Sequence, residues 1–334
     1  MQEFFLGCDW GTSSFRLRLF DVAADRVVAE VVTSEGIARM HSTWIAGNNE
    51  NETRNKVKFF QQYLKEQIKT LSAKSSTDLD HLPVIISGMA SSTIGMENVP
   101  YAEVPFAVNA DDIGTRKIDA DADFLHSIIL ISGVRTDNDV MRGEETQLLG
   151  LLHLMAQERI EPLEGILILP GTHSKHVQVK DGQLISFRTF MTGELFNVIK
   201  THTILKDSIE NREANDFLAA DKAAFIAGIK AAQSFGILNG LFTVRTNQLF
   251  QKLDKPQNLF YLSGLLIGEE LNYLLKENSK ELVLCSGSNL FEFYKIGLDE
   301  LNLTKPPIIV PIQQMDRSAI VGQKLVFEKH ILKL

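Results

Sequence analysis

Near the start of the chain the apolar positions fall in three short runs, 4–9, 14–21 and 26–33, with turns of a few residues between them. Connections that short join antiparallel neighbours, so the pattern predicts a three-stranded meander. A polar stretch follows, with Asn48-Asn49-Glu50-Asn51-Glu52 expected at a helix entrance. From Lys56 to Leu71 the residues Val57, Phe60, Leu64, Ile68 and Leu71 recur at helical spacing and predict an amphipathic helix. A surface loop is expected over 72–81. Pro83-Val84-Ile85-Ile86 and residues 127–132 are short apolar runs, read as strands covered on both faces, with a helix expected between them.

The second half repeats the theme. Ile166 to Leu169 is apolar, Val177-Gln178-Val179 alternates, Asp181-Gly182 turns the chain, and 183–189 alternates again. A long helical region is expected over about 192–275, and residues 281–286 read as a later buried strand. The reading is therefore α/β in two halves. The first covers 1–140, with a helix at 317–334 expected to pack back on it; the second covers 141–316 and carries the helical insertion.

Composition narrows the partners. The 334 residues are 44% hydrophobic and 23% charged, as in a globular protein, and the net charge is −8. That balance gives no basic surface for nucleic acid or anionic lipid. No apolar run reaches the roughly 20 residues of a membrane span, and no signal-peptide pattern opens the chain. Cys8 and Cys285 are the two cysteines, both expected in buried strands, so a disulfide framework and a Cys-rich zinc site are excluded. A cytoplasmic protein with small-molecule partners, and no nucleic-acid or membrane partner, is expected. Self-association is left open.

The chemistry begins at the first turn, Cys8-Asp9-Trp10-Gly11-Thr12-Ser13-Ser14. Backbone N–H groups at Gly11 and the hydroxyls of Thr12, Ser13 and Ser14 could surround an anion, and Asp9 is a hard oxygen ligand of the kind that holds Mg²⁺. An ordinary hairpin turn uses the same residue types. Its counterpart opens the second meander: Gly171-Thr172-His173-Ser174-Lys175, where the glycine and hydroxyls could bind phosphate and Lys175 or His173 could neutralise charge. A solvated turn would look similar, but two such turns at matching places in two halves point to phosphate.

Between them, Arg142-Gly143-Glu144-Glu145 precedes an apolar helix. Carboxylates at a helix N-terminus are favoured by its dipole, which is reason enough for both. The same dipole would keep them ionised, as a base accepting an alcohol proton requires. Arg142 offers a two-pronged site for a carboxylate or phosphate. Ser87-Gly88-Met89-Ala90-Ser91-Ser92, with Tyr101 beyond it, breaks a strand end into small polar residues, as ligand crevices and plain loops both do. Ser286-Gly287-Ser288 could lie against a base or ribose. No P-loop, dinucleotide fingerprint, nucleophile elbow or zinc spacing occurs.

The two turns together resemble the phosphate motifs of sugar kinases in the actin, hexokinase and Hsp70 superfamily. Leu6 to Arg16 is similar to the first, Ile166 to Val177 to the second, and Leu282 to Leu290 to the adenosine motif. Within that superfamily, Asp9-Trp10-Gly11-Thr12, Ser87-Gly88-Met89, Asp139 to Gln147, Leu169 to Lys175 and Phe190 to Phe196 resemble the 2-dehydro-3-deoxygalactonokinase family, and weaker matches continue to Gly268. The resemblance implies two ribonuclease H-like (actin-like ATPase) domains with a nucleotide cleft. It implies ATP-dependent phosphorylation of the 6-hydroxyl of 2-dehydro-3-deoxy-D-galactonate in galactonate catabolism, with ATP and Mg²⁺ as cofactors. A kinase of this fold for another sugar or sugar acid, and a phosphatase or ATPase of this fold, are the alternatives. On that alignment Asp9 holds Mg²⁺ through water, and Gly11, Thr12, Ser13, Gly171, Thr172, His173, Ser174, Lys175 and Gly287 meet the nucleotide. Glu144 aligns with the catalytic aspartate of related carbohydrate kinases, while Glu145 and Asp139 stay open as the base. Arg142, Ser87, Gly88, Ser91, Ser92, Tyr101 and Glu145 are the candidates for the substrate.

Overall fold

The computed structural model describes residues 4–47, 55–110, 112–157, 164–211, 217–277 and 280–332. The first meander is β1 (Phe4–Trp10), β2 (Phe15–Asp21) and β3 (Arg26–Thr33). Helices α1 (Ile37–Gly47) and α2 (Lys56–Ser72) follow. The helix entrance expected at Asn48 to Glu52 lies outside the described residues; α2 is instead capped by Asn55, whose side chain accepts the Lys58 N–H at 3.3 Å. Next come β4 (Val84–Gly88), β5 (Ala102–Glu103), β6 (Phe106–Ala107), β7 (Thr115–Ile118), β8 (Ile128–Ile131), β9 (Val134–Arg135) and β10 (Val140–Met141), then α3 (Glu144–Gln157).

The helix expected between the apolar strands is replaced, among the described residues, by one 3₁₀ turn and the short strands β5 to β7. Pro100 and Pro105 interrupt this stretch, and it lacks a 3.6-residue apolar repeat, so nothing in it sustains helical hydrogen bonding.

The second meander is β11 (Gly165–Leu169), β12 (Ser174–Lys180) and β13 (Gln183–Phe190). After it come α4 (Thr192–His202), α5 (Ala219–Leu249), α6 (Lys255–Asn272), β14 (Leu282–Leu284), α7 (Ser288–Asp299), β15 (Ile308–Ile309) and α8 (Ile312–Phe327). Backbone contacts divide the chain into two compact units: Met1–Leu163 with Asp181–Ser186 and Gln313–Leu334, and Glu164–Lys180 with Phe187–Ile312. The segment carrying Arg142 to Glu145 thus goes with the first unit, whereas the boundary drawn from sequence falls at 140/141.

Each unit holds the same sheet. In the first the strand order is β3-β2-β1-β4-β8-β7, with β1 antiparallel to β2 and parallel to β4, and β4 parallel to β8. The other sheet has the order β6-β13-β12-β11-β14-β15, with β11 antiparallel to β12 and parallel to β14, and β14 parallel to β15. A meander followed by parallel strands in the order 3-2-1-4-5 is the ribonuclease H-like arrangement, present twice. Parallel central strands are covered on both faces, which explains their unbroken apolar runs; Val84, Ile85, Ile86, Ile128 and Leu130 are fully buried.

In the first unit, Leu6, Cys8, Trp10, Leu17, Phe60 and Leu64 pack the core under α2. On the other side α8 crosses α3 so closely that a Cβ on Gly150 would lie 1.9 Å from Ser318 O, and one on Gly322 2.0 Å from Thr146 O. In the second unit α5 and α6 pack along their length, with Ile229, Leu265 and Leu271 buried. Helix α5 is long and apolar enough to cross a membrane by length and composition, at mean hydropathy 1.2, with 33% of that window buried.

Candidate active site

Both meander turns are seated by the same backbone device. In the first unit, Gly11 N–H donates to Ser14 O at 2.9 Å, closing the turn. The Gly11 and Thr12 carbonyls then accept N–H groups of Ile37 and Ala38, at 2.9 and 3.1 Å, from the start of α1. In the second, Thr172 O accepts the N–H of Glu194 at 3.0 Å, from the start of α4. Each contact needs a glycine beside it. A Cβ on Gly36 would sit 2.3 Å from Thr12 O, and one on Gly193 2.8 Å from both Gly171 O and the Thr172 Cα. With these carbonyls engaged by a helix start, the opposite edge of each turn has the geometry that could accept an anion. Thr12, Ser13 and Ser14 are exposed at the tip of the first.

Carboxylates gather at the strand ends of the first unit. Strand register sets Asp9 of β1 beside Ser87 of β4 and Arg16 of β2. Burial raises the Asp9 carboxyl above its ordinary value, Arg16 and Arg18 pull it down, and the charge of Glu144 pushes it up. Asp9 and Glu144 therefore share one electrostatic field although 135 positions separate them (144 − 9). A divalent cation would relieve that repulsion. Among the described residues no group of three or more His, Cys, Asp and Glu side chains is placed to hold a metal ion, so the donors here are the two carboxylates alone. That donor set fits Mg²⁺, which keeps most of its waters and takes one or two carboxylates with substrate phosphates.

Glu144 and Glu145 open α3 and fold back on the chain before it. Glu144 Oε2 accepts Arg142 N–H at 3.1 Å; Glu145 Oε2 accepts Gly143 N–H at 2.7 Å, and its Oε1 the Thr146 hydroxyl at 3.0 Å. The expectation that the helix dipole keeps both ionised fails at Glu145. Its side chain is buried, and that burial, followed by the charge of Glu144, pushes it up to about 8. Burial thus favours the neutral form of Glu145, while the hydrogen bonds to both of its oxygens favour the charged one.

Arg142 is buried with most of its guanidinium engaged. Nη1 donates to Ser91 O and to Ser91 Oγ, both at 2.6 Å, Nη2 donates to Val99 O at 3.1 Å, and the Tyr101 ring centroid lies 4.2 Å away. Its Nε has no hydrogen-bond partner, and no carboxylate pairs with it, among the described residues. The serines are held by the protein. Ser91 Oγ donates to Ile131 O at 2.6 Å, Ser92 Oγ to Met89 O at 2.7 Å, and Ser87 Oγ accepts Gln323 Nε2 at 2.8 Å. Gly88 and Gly143, both at positive φ, face each other, with 3.3 Å from a Cβ on Gly143 to the Gly88 Cα.

In the second unit, an apolar pocket of about 180 Å³ adjoins Gly171 and is lined by Phe196, Leu259, Phe260, Phe293 and Tyr294 among others. This exceeds the ~150 Å³ that accommodates benzene in an engineered protein cavity. Gly287 caps α7, the helix that carries Phe293 and Tyr294, and has open space where a Cβ would stand. His173 pairs with Glu194 at 2.5 Å, both half exposed, and Lys175 Nζ makes a long 3.4 Å contact to His173 O. Ser174 is buried, its hydroxyl 2.8 Å from that of Tyr294.

Sequence reasoning missed Gly36, Gly193, Gln323 and Tyr294. Gly193 sits inside the Phe190 to Phe196 segment that carries the family resemblance, which was the available signal. Gly36 and Gln323 had none, because their contacts are made across the fold.

Residues 9–315 match the family model described as 2-keto-3-deoxy-galactonokinase. Over 309 residues, 90% of each chain, the sequence is 35% identical to the Rhizobium meliloti (strain 1021) protein named "Probable 2-dehydro-3-deoxygalactonokinase DgoK1". It is 28% identical over 302 residues to the 2-dehydro-3-deoxygalactonokinase of Escherichia coli (strain K12), covering 87% of this chain and 88% of that one. A crystal structure of a Sinorhizobium meliloti protein assigned to the same activity matches 98% of this chain and 97% of its own, with TM-score 0.76 and 29% identity.

Proposed function

Because this chain belongs to the 2-keto-3-deoxy-galactonokinase family, we propose that it transfers the γ-phosphoryl group of ATP to the 6-hydroxyl of 2-dehydro-3-deoxy-D-galactonate, in galactonate catabolism. The observation that carries the chemistry is the packing of Gly143 on Gly88, which brings Glu144 to the strand end that bears Asp9. Phosphoryl transfer needs little covalent help; it needs positioned oxygens, neutralised charge and a carboxylate to orient the attacking hydroxyl.

In this reading Glu144 orients the sugar hydroxyl and takes its proton as the new P–O bond forms. Glu145 is buried with both oxygens engaged by Gly143 and Thr146, so it holds the turn before α3 and leaves the base role to Glu144. Asp9 would hold Mg²⁺ through water, and the ion, when bound, supplies charge neutralisation on the phosphate oxygens. In the first unit Gly11, Thr12 and Ser13 would contact phosphate, and in the second Gly171, Thr172 and Lys175. The apolar pocket beside Gly171 takes the adenine ring, with Gly287 leaving room at its edge.

The substrate class follows from Arg142. A buried guanidinium bonded to two carbonyls and a hydroxyl retains its full charge, and an anion is its natural complement. The carboxylate of a sugar acid, accepting from Nε, fills that role; a neutral sugar leaves the cation unpaired. Ser91 and Tyr101 fix Arg142, so they serve the substrate through it.

A coupled ATP-consumption assay over 2-keto-3-deoxy sugar acids and plain sugars, with wild type and Glu144→Gln, tests this. The galactonate-series acid should raise ADP release far above background and Glu144→Gln should abolish the gain. Stimulation by neutral sugars alone would overturn the substrate class. Cytoplasmic placement is checked by cell fractionation and self-association by light scattering.

A further inference from the structure

Behind the second turn lies a buried polar cluster that the roles above leave unused. Its centre is Glu270 of α6, 2% exposed, whose Oε1 is 3.0 Å from His176 Nε2 of β12. Its Oε2 accepts the Thr192 hydroxyl of α4 at 2.5 Å and the Tyr294 hydroxyl of α7 at 2.7 Å. Since Tyr294 gives its proton to Glu270, the 2.8 Å contact between Tyr294 and Ser174 has serine as donor. Gly171 N–H in turn donates to Ser174 Oγ at 3.3 Å. A directed chain results, from the backbone of the phosphate turn through Ser174 and Tyr294 to a carboxylate.

Apolar side chains would pack these four elements together without the desolvation that a buried carboxylate brings. What the polar cluster adds is a single admissible arrangement, because displacing any member leaves a buried group unpaired. Thr192 and Tyr294 also line the apolar pocket. The same side chains therefore face the pocket and fix the turn.

We propose that Glu270 is a positioning residue for the nucleotide. It holds the second phosphate turn in its anion-accepting form through Tyr294 and Ser174, and ties that turn to the pocket wall through Thr192. This inference rests on the reading of turn and pocket as a nucleotide site. It assigns no contact between Glu270 and ATP; the carboxylate acts through Ser174 and Thr192.

The test uses the whole chain, with ADP binding by calorimetry and steady-state KM values measured beside melting temperature. Tyr294→Phe removes one oxygen and keeps the ring in the pocket wall. It should weaken ADP and raise the ATP KM by about ten-fold or more, which is ~1.4 kcal/mol, while the sugar-acid KM moves less than about two-fold. Thr192→Val should act in the same direction and Thr192→Ser should restore ADP binding. Ser174→Ala combined with Tyr294→Phe should be no worse than either alone, since both cut one chain. A lower melting temperature with unchanged ADP affinity would make the cluster merely structural and overturn the proposal. Wild type that fails to bind ADP removes the nucleotide reading and the proposal together. Wild type that binds ADP, loses it in Tyr294→Phe, yet phosphorylates no sugar acid leaves the proposal standing and removes the substrate assignment.

Discussion

The two phosphate turns share a backbone plan and differ in what stands behind it. Behind the first are rings: Trp10 packs edge-on against Phe15 and Phe60, with centroids 4.9 and 5.4 Å apart, and Tyr63 closes the group. Behind the second is the hydrogen-bonded Glu270 cluster. In front, the order reverses. The first turn lies in the unit that carries Asp9 and Glu144, while the second adjoins an apolar pocket. On the proposed reading the half backed by rings would present the carboxylates, and the half backed by the polar cluster would hold the base end of the nucleotide. Loss of the Glu144 carboxylate should lower kcat, and variants of the Glu270 cluster should raise the ATP KM.

The largest effect is expected at Glu144. Glu144→Gln should lower kcat by ~10²–10⁴-fold, the usual contribution of a positioned base, with the ATP KM little changed. A rise in ATP KM at constant kcat would erase the distinction between the halves. Glu145→Gln should keep most of the activity, because the base role lies with Glu144.

Arg142→Ala comes next. Loss of a charge-assisted hydrogen bond is worth ~1.5–3 kcal/mol, so the KM for sugar acids should rise roughly 10- to 100-fold while the ATP KM holds. Equal shifts for both substrates would make Arg142 a structural residue alone.

The glycine seats sharpen the contrast. Gly36→Val and Gly193→Val each force a side chain into a turn carbonyl or its neighbours, and overpacking of this kind costs about 1–3 kcal/mol. Both should lower the melting temperature, with Gly36→Val the more severe because its gap is narrower. Only Gly193→Val should raise the ATP KM disproportionately.

The smallest effect is in pH. In the folded chain burial pushes the Glu145 carboxyl up to about 8, whereas an unperturbed glutamate loses its proton near 4.5. Between those values the folded state binds the extra proton, so this group's stabilising contribution is complete below the lower value and declines as pH rises through the window. Denaturant melts of wild type should show that decline, and Glu145→Gln should flatten it. Identical pH profiles for the two would place the ionised form in the folded chain.

The alternation of Phe4 to Asp21 and of residues 174–190 made both meanders legible, and with them the turns. The helix α1 was not, because only Ile37 and Met40 of its eleven residues are buried and the apolar signal is thin. Glu145 was read from its place at a helix start, where the dipole favours charge; complete burial outweighed the dipole. Glu270 was invisible for another reason. Glu270, beside Glu269 in a long apolar helix, looks like a solvated position until β12, α4 and α7 close around it, and its partners lie 24, 78 and 94 residues away.

The last helix carries a consequence for how the protein is made. Gln323 of α8 bonds the Cys8 carbonyl of β1 at 2.9 Å as well as Ser87, and Gly322 lets α8 rest on the backbone of α3. The unit bearing Glu144 is therefore completed by a helix that follows the whole second unit in sequence, whereas the second unit ends at Ile312. At ~5–20 residues per second, the roughly 150 residues of the second unit separate α3 from its partner by on the order of 10–30 s of synthesis. During that interval the nascent chain holds an α3 without its cover, and the first unit matures only once α8 has been made. A stop codon placed just before α8 should then abolish catalysis while sparing the second unit.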